Sequence, residues 1–153
     1  MIPYTMIYDR TETDIHEAKR LIQKGYSNLS QAEKQKWDSG LKGCFNASDM
    51  NRIMGAIKAV ADEIGVTMSA VKVFVDGDIP READYDDMLE RLAEISGLYI
   101  YPTTPEIPSA PINTYGKVNA VEQIIHDVDD VYVKVMSNVT RSGELYAGEE
   151  YSL

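Results

Sequence analysis

The sequence predicts a mainly α fold: a small helical bundle with extended arms at both ends and room for one short β element. Three observations predict it. Apolar residues recur at helical spacing, most clearly at Met50, Ile53, Met54, Ile57, Val60, Ala61 and Ile64, which form one wide face. Hydroxyl residues followed three positions later by an acid, Thr11 with Asp14 and Ser30 with Glu33, mark helix starts. β-prone residues without helical period occur at residues 1–10 and 71–75.

Each element follows in order. Residues 1–10 read as an extended arm. Thr11 to Asp14 then opens a helix carried by Ile15, Ala18, Leu21 and Ile22 and ended by Lys24-Gly25. Ser30 opens a short polar helix with Trp37 and Leu41 as its bulky anchors, closed by Gly40 and Gly43. Asn46 or Ser48 caps the strongest helix, with Asp49 suiting its positive end and Cys44-Phe45 as an apolar staple ahead of the cap; Gly65 ends it. Residues 71–75 are β-prone, are turned by Asp76-Gly77-Asp78, and could pair with the arm at residues 5–8. Pro80 precedes a helix through Tyr85, Met88, Leu89, Leu92 and Ile95, closed at Gly97. Pro102, Pro105, Pro108 and Pro111 exclude regular structure from 101 to 113. Val118, Val121, Ile125, Val128, Tyr132 and Val135 then alternate spacings of three and four, a heptad seam widened by Ile124 and Val131. The Gly-broken end reads as an extended tail. The expected division is an arm at 1–10, a helical domain at 11–100, a Pro-rich connector at 101–113, a helix at 114–137 and a tail at 138–153.

Composition narrows the function classes. At 153 residues one domain is expected, and 44% apolar content is enough for a packed core. A net charge of -10 argues against nucleic acid and against anionic membrane surfaces. One cysteine forms no internal disulfide, and no apolar run approaches the ~20 residues of a membrane span. The first eight residues lack the basic region and apolar core of a secretion signal, so the chain is expected to be made in the cytoplasm.

Candidate chemistry is sparse. Cys44 with His16 or His126 could be a thiol–base pair, but no oxyanion motif accompanies it, and packing is favoured. His126 and Asp130 lie one helical turn apart without a third ligand at fixed spacing. Asp76, Asp78, Asp84, Asp86 and Asp87 lack the calcium-loop pattern and suit turns and helix starts. Asn51 and Arg52 either contact a neighbouring helix or partner, or face water. Phosphate-cradling loops, dinucleotide fingerprints, zinc ligand sets and the Ser-His-Asp order are absent. No catalytic, cofactor or metal residues are therefore assigned, and no enzyme activity is expected.

The order of segments resembles that of small, tail-associated virion structural proteins of tailed phages and prophages of Gram-positive bacteria. The resemblance lies in "DRT..D" (Asp9, Arg10, Thr11, Asp14), "KGY.N.S" (residues 24–30) and "W..G.KG.(F/Y)N..D.NR(I/V)" (residues 37–53). It continues in "DIP...D...(M/Y)L" (residues 78–89), "TY.K.N.(I/V)E.I..D(I/V)D" (residues 114–129) and "SGE.Y.GE" (residues 142–149). Ala47-Ser48 and Met50 stand where that family has Tyr-Thr and Leu, as packing variants. The resemblance implies a virion structural or assembly protein at the distal tail, baseplate or fibre attachment, assembled in the host cytoplasm. It would have other virion proteins as partners, homo-oligomerise in the particle, and use no cofactor, membrane or nucleic acid. Tyr4, Ile7 and Tyr8 in the arm and Leu145, Tyr146 and Tyr151 in the tail are the expected partner-binding residues, becoming ordered on assembly. Two other classes stay open: a cytoplasmic helical adaptor or regulator, and a metal-dependent hydrolase using His126 and the acids.

Overall fold

The computed structural model describes residues 1–150, with side chains through residue 140. The helices are α1 (Glu12–Lys24), α2 (Gln31–Asp38), α3 (Ala47–Ile64), α4 (Glu82–Ile95) and α5 (Tyr115–Glu150), with a 3₁₀ turn at Tyr26–Asn28 between the first two. The mainly helical architecture is the one the sequence predicts.

The helix starts form as their side chains dictate. Thr11 and Asp14 exchange hydrogen bonds as a capping box, and so do Ser30 with Glu33 and Asn46 with Asp49. Asp84 accepts from the Arg81 amide ahead of α4, and Thr114 Oγ1 accepts from Lys117 N at the start of α5. Gly65 ends α3 with φ of 78°, a left-handed conformation in which a Cβ would be strained, and its amide bonds Ala61 O.

α3 is the central element and packs on both α4 and α5. Met50, Ile53, Ile57 and Val60 are completely buried, together with Leu92 from α4 and Val121, Ile125 and Val128 from α5. Burying each such side chain contributes roughly 1.5–3 kcal/mol. α1 and α2 form a smaller outwork around Leu21 and Leu29, with Trp37 edge-on to Tyr26 at 5.9 Å. The hairpin is laced by Arg20 and Lys24 on Glu33. It meets the main body where the loop after α2 crosses α1: a Cβ on Gly43 would lie 2.1 Å from Asp14 O, so only glycine allows this approach.

Three expectations change. The β-prone residues 71–75 form no strand, and none is present among the described residues. Phe74 instead drops into the core at 4% exposure, and Asn51 takes over the partner's role by bonding both its amide and its carbonyl at 2.7 Å. The arm accordingly does not pair with this segment. The expected extended tail is also replaced, because α5 runs through residues 138–150 as helix. Glycine costs a helix only about 1 kcal/mol and removes no backbone donor, so Gly143 and Gly148 do not end it as proline would.

The connector of 101–113 is irregular, as its prolines require, but it is tied down. Thr104 Oγ1 donates to Asp127 at 2.6 Å and accepts from Tyr101 N. Lys117 reaches back to the carbonyls of Ser109 and Pro111, both at 2.8 Å.

Candidate functional site

The densest polar constellation lies between the arm, α3 and α5. Glu122, on the inner face of α5, has no exposed surface, and neither carboxylate oxygen is idle. Oε1 accepts from Arg10 Nη1 at 2.8 Å and Arg52 Nη2 at 2.9 Å. Oε2 accepts from Arg52 Nη1 and from the amide of Ile7. Asp49 completes the set, 3.0 Å from Arg52 Nη2 and 3.5 Å from Arg10 Nη2. Two guanidinium groups therefore face two carboxylates, and the buried charge cancels. Burial works against the charge on Arg52, but Glu122 and then Asp49 outweigh it and hold its pKa above the ordinary guanidinium value.

The cluster grips the backbone of the arm. Arg52 donates to Thr5 O at 3.0 Å, Arg10 to Ile7 O and Lys42 O, and Asn119 of α5 both accepts from Arg10 N and donates to Arg10 O. Further out, Asp129 accepts from Ile2 N at 3.2 Å. An extended segment that lacks a strand partner thus has its amides and carbonyls met by side chains.

This places the predicted partner-binding residues. Tyr4 lies across α3 at Gly55, where an added Cβ would stand 2.6 Å from its hydroxyl. Ile7 is half-buried above Glu122, and the Tyr8 ring lies 5.0 Å from that of His126, tilted by 48°. Tyr4 and Tyr8 keep 37% and 38% of their surface exposed. The backbone at Leu145 and Tyr146 belongs to α5, but their side chains, and Tyr151 altogether, lie outside the described residues.

Of the other candidates, Cys44 is half-buried, and burial, followed by the nearby Asp49, raises its thiol pKa. The two histidines are engaged elsewhere: His16 lies 3.5 Å from Glu12, and His126 Nδ1 lies 3.1 Å from Asp127. Asp130 is held by Lys134 and then Tyr101, which lower its pKa. Asp78 accepts from Val75 N, and Asp84 accepts from Lys72 and Arg81. Among the described residues no group of three His, Cys, Asp or Glu side chains is arranged to hold a metal. A cavity of about 470 Å³ opens between the arm and α5, lined by Tyr4, Tyr8, His126, Asp129 and Asp130.

Sequence reasoning left open whether Asn51 and Arg52 face water. Neither does: Asn51 clamps the 74 segment and Arg52 joins the cluster. Arg10, Asn119 and Glu122 were not singled out individually, although a signal existed. Arg10 sits in "DRT", Asp49 and Arg52 in "D.NR", and Asn119 and Glu122 in "N.(I/V)E". These motifs lie far apart in the chain and meet in one cluster. No family model, curated protein or solved structure matches the chain.

Proposed function

We propose that the protein is a virion structural or assembly component of a tailed phage or prophage, placed at the distal tail, baseplate or fibre attachment. It would act through protein–protein contacts rather than catalysis. One observation supports this reading above others: polar residues from three of the motifs that resemble the virion proteins are spent on holding the arm and bundle together. Arg10, Asp49, Arg52, Asn119 and Glu122 bond one another or backbone, with their charges balanced internally. Such a motif specifies a shape, which is what a structural component has to deliver. The acidic balance of 25 Asp and Glu to 15 Lys and Arg keeps such a component soluble before assembly. The test is mass spectrometry of particles purified after induction of the source prophage or infection by the source phage. The chain should be present at a fixed ratio to the other tail proteins, and deleting its gene should leave particles without a complete tail end. Its absence from intact particles, or normal particles from the deletion, would contradict the proposal.

A further inference from the structure

A second cavity, of about 220 Å³, lies where α1, the loop after α2, α4 and the start of α5 meet. Ile15, Phe45, Tyr85, Ile112 and Val118 give it apolar walls. All but Val118 are only half-buried, and the Phe45 and Tyr85 rings stand 6.2 Å apart. The space is smaller than the roughly 300–1,000 Å³ of pockets that hold drug-sized ligands, so it suits a smaller organic molecule.

Two sets of hydrogen-bond donors meet this space without an acceptor. The first is Arg10, whose side chain is 3% exposed and which lines the cavity. Its Nε donates to Lys42 O at 3.0 Å, and Nη1 donates to Ile7 O and Glu122. Nη2 is buried with no hydrogen-bond partner; Asp49, 3.5 Å away, balances its charge without bonding it. In the planar guanidinium fork, Nε–H and one Nη2–H leave the same edge in parallel. With Nε–H on Lys42 O, that Nη2–H points along residues 42–44, and Gly43 and Cys44 are cavity wall. The second set is the first turn of α5. Lys117 N bonds Thr114 Oγ1 and Val118 N bonds Thr114 O, which leaves the amides of Tyr115 and Gly116 with no protein acceptor. Tyr115 and Thr114 also line the cavity. A buried donor left unpaired is costly, so Nη2 is a place where an acceptor from outside the chain gains most.

The surroundings set the charge of that acceptor. Arg10 and Arg52 are already balanced by Glu122 and Asp49. The remaining positive character is the partial charge of about +0.5 at the helix start. That suits one negative charge, whereas a dianion would stay unbalanced. The apolar walls require a hydrocarbon body. We propose that this cavity binds a small organic monocarboxylate, its oxygens on Arg10 Nη2 and the first amides of α5, its ring or chain against Phe45, Tyr85 and Ile112. The proposal does not depend on the assembly role above.

The experiment titrates benzoate into the isotope-labelled full chain, with benzamide as the uncharged analogue and phenylphosphate as the dianionic one. Benzoate should bind saturably, about tenfold or more tightly than either analogue, and should shift the amides of Cys44, Tyr115 and Gly116 most. Cys44 gives a second readout inside the cavity. Saturating benzoate should slow its labelling by iodoacetamide several-fold, and the same concentration of benzamide should not. Arg10 also holds the arm, so the variant is made elsewhere: Ile112→Trp fills the cavity from a half-buried wall position and should abolish binding with helix content retained. No saturable binding of benzoate, equal binding of either analogue, unchanged Cys44 labelling, or full affinity in Ile112→Trp would overturn the proposal.

Discussion

Glu122 is a carboxylate held by two arginines and a backbone amide with no water access. A buried ion pair is a weak source of net stability, because desolvation opposes the attraction, yet removing one partner is costly. Glu122→Ala leaves Arg10 and Arg52 facing only Asp49 and is expected to destabilise the fold by about 3–5 kcal/mol, measured by urea unfolding. A loss below about 1 kcal/mol, of the size seen for exposed pairs, would show that the cluster is solvated and not a clamp. Cys44 provides a second test. Burial raises its thiol pKa, so little thiolate exists at neutral pH. Iodoacetamide should label it more slowly than a free cysteine in the folded protein and at an ordinary rate in denaturant; fast labelling of the native chain would contradict its packed position. Packing is the sequence's expectation for Cys44 because no base or oxyanion motif accompanies it, and the structure leaves the thiol half-buried. It did not show the pairing of Glu122 with Arg10, since 112 residues separate them and charge alone names no partner.

The helices behave as elements of two kinds. α3 is held by its apolar face, so Ile57→Ala should cost about 2–5 kcal/mol, while Lys58→Ala, which loses only a partly exposed pair with Asp62, should be near neutral. Equal thermal stability of the two variants would mean that the wrong face has been assigned to the core. The α1–α2 hairpin is held more by charge. Lys24, then the Ser30 amide and Arg20, lower the Glu33 pKa from 4.5 to about 2. A depressed carboxylate pKa contributes stability that is present above the ordinary value and lost as pH falls from about 4.5 through about 2. Hydrogen-exchange protection factors in α1 and α2, taken relative to the intrinsic rate at each pH, should therefore fall across that window before those in α3 do. The reverse order would contradict a charge-laced hairpin. Helix starts and periodic faces were legible in the sequence because capping and burial are local codes. The fate of residues 71–75 was not. Their β propensity is overridden by one side chain, Asn51, which bonds both backbone groups of Phe74. The end of α5 was misread because glycine weakens a helix without stopping it.

At the scale of the whole molecule, the arm decides how the chain presents itself. It was read from sequence as a free segment awaiting a partner, since nothing local in residues 1–8 fixes it. The structure places it on its own bundle, with Ile2 buried, Ile7 N on Glu122 and Arg10 N on Asn119. Outward surface at Met1, Pro3, Tyr4, Thr5, Tyr8 and Asp9 remains for another molecule. The chain is then a pre-formed body, and Arg10, Asp49, Arg52, Asn119 and Glu122 hold its arm in place. Hydrogen exchange on a dilute monomer, read at the amides of Ile2, Ile7 and Arg10, tests this most directly. If the arm belongs to the body, these amides should exchange far more slowly than in an unfolded chain, and Glu122→Ala should release Ile7 and Arg10 together. Exchange at the unfolded rate in the unaltered monomer, with protection appearing only on assembly, would return the arm to the role of a free partner-binding segment.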